Sequence, residues 1–260
     1  MARKTFADYY RLVVRKKGVA MFQKIFVLVV FGFVNINMIF ATGETEIIGN
    51  GNIVIVDRTV SLPFNSIELT TGLIINLYQA DEPRIEIKAD SDIEPYIQTE
   101  IDNNVLTIQR THGVRLRPTE CIILVYMPNI ASLKSSGSGR IIFMDTIKTD
   151  NLKLEITGSG EIEGRIESEN LNMRISGSGK IRLSGTSNKA VIGITGSGRI
   201  DSENLEIENA EISVSGSGEV RVTVNNRLEG RISGSGDILY KGNPTITFNS
   251  SGSGELRAIR

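Results

Sequence analysis

The chain has 260 residues, 40% of them hydrophobic, with 26 Gly, no Trp, one His and one Cys. That is enough apolar material for a sizeable core, and the glycine content favours many short strands over a helical bundle. One Cys excludes an internal disulfide, and one His leaves at most a single imidazole for a metal centre or a catalytic triad.

The chain opens with a basic segment. Lys24 precedes the apolar run Ile25 to Val34, and a more polar stretch leads to Ala41. This is the layout of a secretory leader over residues 1–41, with Met21 as a second start point. The competing reading is a retained anchor, but Ile25 to Ala41 is short for a spanning helix and contains Asn35 and Asn37. No Cys follows the run to carry a lipid. Residues 1–41 hold seven Lys or Arg and one Asp, leaving 22 basic and 29 acidic residues and a formal charge of −7. An acidic mature protein disfavours nucleic acid and anionic lipid as partners. Export places it in the periplasm, at the outer membrane or on the cell surface, without a membrane span in the mature chain.

Residues 42–130 read as an irregular all-β part. Strand-like runs occur at Ile53 to Val56, Ser66 to Thr70, Leu73 to Gln79, Arg84 to Lys88, Val105 to Gln109 and Cys121 to Met127. Turn signals such as Asp81-Glu82-Pro83 and Asp102-Asn103-Asn104 separate them. Asp92 to Ile101 reads as one short helix with Asp92 at its N-cap. The polar stretch Arg110 to Pro118, holding His112, reads as a solvated loop. The Cys121 thiol begins an apolar run and reads as a small buried hydrophobe rather than a nucleophile.

Residues 131–260 carry a repeat. Gly-Ser-Gly opens at Gly137, Gly158, Gly177, Gly196, Gly216, Gly234 and Gly252, at intervals of 18 to 21 residues. Four positions after each opening glycine stand Ile141, Ile162, Ile181, Ile200, Val220, Ile238 and Leu256. Two positions before it stand Ile156, Ile175, Ile194, Val214 and Ile232, with Ser135 and Ser250 departing at the ends. Further columns lie four and six positions before, with Gly230 as a gap. Even offsets are the period of strands with one buried face. A unit of about twenty residues that cannot bury its own apolar face must stack on its neighbours. The expectation is an all-β parallel β-solenoid, a single-stranded right-handed β-helix whose N-terminal rungs are irregular or form a cap. A sandwich also has short strands, but gives no reason for one residue type to recur at one offset seven times. Met144 to Asn151, Gly164 to Asn170 and Lys241 to Thr245 read as turns between walls. If the chain stays extended through the triplet, both glycines point inward, removing volume at a close approach or a corner.

Several segments together resemble a known family: Ile48-Gly49-Asn50-Gly51-Asn52, Arg58, Phe64-Asn65-Ser66-Ile67, Gly72-Leu73-Ile74-Ile75-Asn76, Ala89-Asp90, Tyr96-Ile97 and Val105-Leu106-Thr107-Ile108, followed by the triplets. In order and content they resemble the head GIN domain family of auto-transporter adhesins, exported proteins of Bacteroides-like bacteria. The resemblance runs over residues 45–260 and implies an exported, solenoid-like, all-β fold. It carries no catalytic motif.

The residues offer little chemistry of their own. Gly-Ser-Gly is no phosphate cradle, because each copy feeds a strand and not a helix N-terminus. The period is twice that of calcium-binding β-rolls and the fixed position holds Ser, so no metal and no cofactor are expected. Glu219, Asp237 and Glu255 share one outward column about 4.8 Å apart, a spacing open to a polysaccharide-active enzyme. Arg140, Lys180 and Arg199 occupy the same column, which is the pattern of a solvated face. The expectation is therefore a non-enzyme, an adhesion or scaffolding module. Its binding candidates are the middle serines Ser138, Ser159, Ser178, Ser197, Ser217, Ser235 and Ser253, in a column about 29 Å long. Glycans or surface proteins fit such a face. The alternative is that the hydroxyls satisfy one another between rungs. The terminal rung, ending in an open edge, also offers a route to oligomers.

Overall fold

The computed structural model describes residues 44–259; the leader expected at residues 1–41 lies outside them. In chain order the strands are β1 (Thr45–Ile48), β2 (Ile53–Arg58), β3 (Ser66–Leu69), β4 (Ile74–Gln79), β5 (Arg84–Asp90), β6 (Ile97–Asp102), β7 (Val105–Arg110), β8 (Val114–Arg117) and β9 (Cys121–Met127). There follow β10 (Ser132–Ser135), β11 (Arg140–Gly158), β12 (Glu161–Gly177), β13 (Lys180–Gly196), β14 (Arg199–Gly216), β15 (Glu219–Gly234), β16 (Asp237–Lys241), β17 (Thr245–Gly252) and β18 (Leu256–Ala258).

Alternating apolar residues force one face of each strand inward, and equal repeat length lets each coil lie in register on the last. β11 to β15 pair in parallel, each with its successor. Ile141, Ile162, Ile181, Ile200, Val220, Ile238 and Leu256 are successive Cα partners. Ile156, Ile175, Ile194, Val214, Ile232 and Ser250 form a second file. The isoleucines of both files are buried. This is the parallel β-solenoid that the even-offset columns call for. At the Gly230 gap the Phe248 ring of the next coil fills the space, so that a Cβ on Gly230 would stand 3.1 Å from Phe248 Cδ2.

The expected turns at Met144 to Asn151 and Gly164 to Asn170 are instead strand, with Thr146 pairing with Arg165 after a register shift that begins at Ile142. Stacked bends keep their ladder hydrogen bonds, because the coil above bends at the same place, and Ile147 and Ile166 bury their side chains there. Length differences between coils are absorbed at register shifts, such as that between Ser202 and Glu206. At Lys241 to Thr245 the chain does leave the ladder, at Gly242 with φ 95°.

The same columns run on into the N-terminal part: Leu133 pairs with Ile67 and Ile67 with Leu106, while Ile141 pairs with Ile75 and Ile75 with Ile123. There the stack changes character. β5 lies antiparallel on β9, β2 antiparallel on β5, and β6 antiparallel on β7. The helix expected at Asp92 to Ile101 is absent: a 3-10 turn spans Glu94–Tyr96, and β6 takes the rest. β-branched Ile97, Thr99 and Ile101 pair with β7 instead. Asn103 and Asn104, at φ 49° and 64°, make the two-residue turn of that hairpin. The expected loop Arg110 to Pro118 holds β8, which pairs in parallel with β1 in a separate two-stranded sheet. His112 sits exposed in the turn before it.

Several residues of the family-like segments meet here. Asp90 is fully buried and accepts hydrogen bonds from the amides of Gly51 (2.7 Å), Thr119 (2.8 Å) and Glu120 (3.4 Å). Gly49 lies against the same carboxylate, leaving no room for a Cβ. Burial alone would push the Asp90 carboxyl up; the donors of Gly51, Thr119 and Glu120 outweigh it and hold it below its ordinary value. Arg58 pairs with Glu94 and donates to the Ile97 carbonyl at 3.2 Å, pinning the 3-10 turn. These residues tie the cap together.

Candidate functional site

Each triplet is a corner. At Gly177 the φ is 121°, a left-handed value that side-chain-bearing residues rarely adopt. A Cβ there would also stand 2.6 Å from the Gly158 carbonyl oxygen of the coil before. The chain is therefore not extended through the triplet. The first glycine turns it, and only the second points fully inward. Gly198 is buried beneath Ile175, with its hypothetical Cβ 2.5 Å from Ile175 Cγ2. The close approach is to the preceding coil, not to an opposite wall.

Between the two glycines the serine must face outward. Ser138, Ser159, Ser178, Ser197, Ser217, Ser235 and Ser253 are all exposed. Their amides continue the stack, with Ser178 donating to Gly158 and Ser197 to Gly177, each at 2.9 Å. Their hydroxyls behave differently. Among the described residues one bond joins two of them, Ser235 to Ser253 at 3.3 Å. Mutual satisfaction between rungs is thus confined to the last two coils. Beside this column runs a second one, Thr157, Ser176, Thr195 and Ser215, in register across β11 to β14 and exposed throughout.

The carboxylate column is tied to arginine. Glu219 pairs with Arg221 at 2.7 Å and Arg199 at 3.5 Å, and Asp237 with Arg257 at 3.0 Å. Glu255 reaches Arg257 at 3.4 Å. The Cys121 thiol is buried, and burial first, then the nearby Asp90 carboxylate, pushes it up to about 12, which keeps it protonated and unreactive.

Two surface features escape the column analysis. The first is an apolar outward face on the N-terminal sheet: Ile122, Leu124 and Tyr126 of β9 alternate with buried residues yet are themselves half-buried. Tyr126 stacks on Tyr78 with ring centroids 4.6 Å apart. Ile142 and exposed Met144 continue the face on β11. The seven-residue apolar run Cys121 to Met127 signals this, since a run without alternation is apolar on both faces. The second is a shallow depression of about 480 Å³ beside the hydroxyl column, floored by Val191 and Gly193. Its signal is a glycine inside a strand. No helix among the described residues is long and apolar enough to cross a membrane.

Comparison with known proteins follows the same lines. No protein of curated function matches the chain. Among solved structures it is similar to a putative lipid binding protein from Parabacteroides distasonis, 26% identical over 83% of this chain and all of that one, TM-score 0.71. It is likewise similar to a putative adhesin from Bacteroides fragilis, 25% identical over 82% of this chain and all of that one, TM-score 0.75. A putative adhesin from Parabacteroides merdae, 24% identical over 83% of this chain and all of that one with TM-score 0.67, shares the fold. With residues 63–244 matched, from the start of the core through the sixth triplet, the chain belongs to the family described as "Putative auto-transporter adhesin, head GIN domain".

Proposed function

We propose that this protein is a non-enzymatic, exported adhesion or scaffolding module that holds a glycan or a surface protein along its triplet-serine face. The observation that carries the reading is the exposed file of Ser138, Ser159, Ser178, Ser197, Ser217, Ser235 and Ser253, largely without hydroxyl partners. Hydroxyls offer one donor and two acceptors each, and a solenoid repeats them at a fixed spacing suited to an extended partner. Family membership and the adhesin-named relatives support adhesion. Residues 1–41 act as the leader, 42–130 as the irregular cap and 131–260 as the regular presenting stack, located in the periplasm, at the outer membrane or on the cell surface. An acidic surface argues against nucleic acid as partner. The outer edge of β17, unpaired among the described residues, supports oligomers through the terminal rung. The polysaccharide-active alternative is weakened by the arginines that neutralise Glu219, Asp237 and Glu255.

A second reading has one observation behind it. The apolar outward face with its Tyr78–Tyr126 stack suits an uncharged lipid surface, in keeping with the name of the P. distasonis relative. One experiment separates the two: the protein is run against a glycan array, a panel of surface proteins and neutral phosphatidylcholine liposomes. Binding to array or panel that falls at least tenfold when alternate triplet serines become valine supports the first reading. Liposome flotation abolished by Tyr126→Glu supports the second, and release of reducing sugar from any polymer restores the enzyme.

A further inference from the structure

Glycine inside a strand weakens it and needs a reason. Outside the triplets, each described glycine but one has a left-handed φ or a neighbour that a Cβ would crowd. The exception is Gly193. Its φ is ordinary, and a Cβ placed on it would find nothing closer than Arg174 Cγ at 3.8 Å. Neither the backbone nor the packing requires glycine there. Gly193 lies among the residues that line the depression of about 480 Å³ in the outward face, and a larger side chain there would take up part of that space.

The walls of that depression have a consistent chemistry. Thr157, Ser176, Thr195 and Ser215 line one side as four in-register hydroxyls. Arg174, the register partner of Gly193, and Glu211, the partner of Val191, flank the floor. Both are exposed, and neither makes an ion pair among the described residues, unlike the arginines and carboxylates around Glu161 and Glu219. In the neighbouring rung Asn172, also partner to Val191, has a buried side-chain oxygen with no hydrogen-bond partner.

The geometry points to a subsite for one or two pyranose units of a glycan chain running along the solenoid axis. This rests on the glycan arm of the proposed function and names where the chain is gripped. A sugar ring offers a C–H face to the small floor of Val191 and Gly193. Its equatorial hydroxyls meet a guanidinium and a carboxylate, each able to take a vicinal pair, and a row of neutral hydroxyls that each donate one hydrogen bond and accept others. The coil spacing of about 4.8 Å is close to the length of one pyranose, so successive sugars meet successive hydroxyls. A peptide would leave its backbone amides facing side-chain hydroxyls without a strand edge to pair with.

Gly193→Val tests this without confusing binding with folding. Valine suits a strand, there is room for it, and the melting temperature stays the same or rises. Wild type, Gly193→Val, Gly193→Ser and Arg174→Gln are titrated calorimetrically with hexamers of β-1,4-linked N-acetylglucosamine, glucose and xylose. The expected result is that one hexamer binds wild type, that valine weakens it at least tenfold, and that serine and Arg174→Gln weaken it less. Equal binding by wild type and folded Gly193→Val would place the grip elsewhere on the face, overturning this subsite and leaving the adhesion reading intact. No hexamer binding to wild type overturns the subsite, and hexamer failure together with a blank glycan array removes the glycan reading as well.

Discussion

At the scale of single residues, Asp90 shows how much of the cap hangs on one carboxylate. It is buried, and its oxygens are taken up by the amides of Gly51, Thr119 and Glu120 from two separate loops. Removing the acceptor strands those donors out of water's reach. Asp90→Ala is therefore expected to lower the melting temperature at pH 7 by on the order of 5 °C, measured by far-UV circular dichroism. The pH dependence has a definite sign. The native carboxyl lies below its ordinary value of about 3.9, so the unfolded chain binds the proton more readily. The stabilisation is complete above that value and is lost as pH falls through the native one. The gap between wild type and Asp90→Ala should accordingly narrow below about pH 4; a constant gap down to pH 2 would show that the carboxylate's charge is not what binds the loops. Gly49, which leaves no room beside the same carboxylate, explains why Gly49-Asn50-Gly51 and Asp90 occur together in one family-like pattern.

At the scale of the element, the triplet is a corner built from two glycines with different tasks, and the difference is testable. Gly198 sits beneath Ile175, so Gly198→Ala pushes a methyl into Ile175 Cγ2. Overpacking of this kind costs about 1–3 kcal/mol, and part of it should be recovered in the Gly198→Ala, Ile175→Ala double variant, read from urea melts as a favourable coupling. Additive costs would mean that the corner, not the contact, is what alanine disturbs. The strands of the regular stack were legible in sequence because a two-residue period repeated at fixed offsets leaves one solution: Ile162, Ile181 and Ile200 can only be a file. The corner was half legible, since glycine spacing marks a bend but a left-handed φ at Gly177 and an ordinary one at Gly198 look alike in sequence. The β6 segment reads as helix in sequence because Asp92 resembles a cap, whereas the pairing of Ile97, Thr99 and Ile101 with β7 is a tertiary choice. β1 and β8 leave no mark in sequence, because four-residue strands that pair over a distance of about seventy positions carry no local period. Of the proposed face, the serine column is legible from its offset, whereas Gly193 takes meaning only once its φ and its empty surroundings are known.

At the scale of the whole molecule, the stack behaves as a one-dimensional array in which each coil touches only the coils next to it. That makes a coil removable. Excising residues 180–198 joins Gly179 to Arg199, which follows the same corner that Lys180 does. Every file then closes across the cut: Ile162 meets Ile200, Leu171 meets Ala210 and Ile175 meets Val214, the partners each already had one coil further on. The shortened protein should fold, with strand content by circular dichroism reduced in proportion to the residues lost and a melting temperature only a few degrees lower. Excising residues 180–188 alone should not be tolerated. Nine residues do not complete a coil, so Ala190 would fall where Ile181 packs on Ile162 and the next triplet would arrive half a coil early, breaking the files; aggregation is the expected outcome. If both deletions fail alike, stability does not reside in neighbouring coils, and the cap around Asp90 must govern folding of the entire stack.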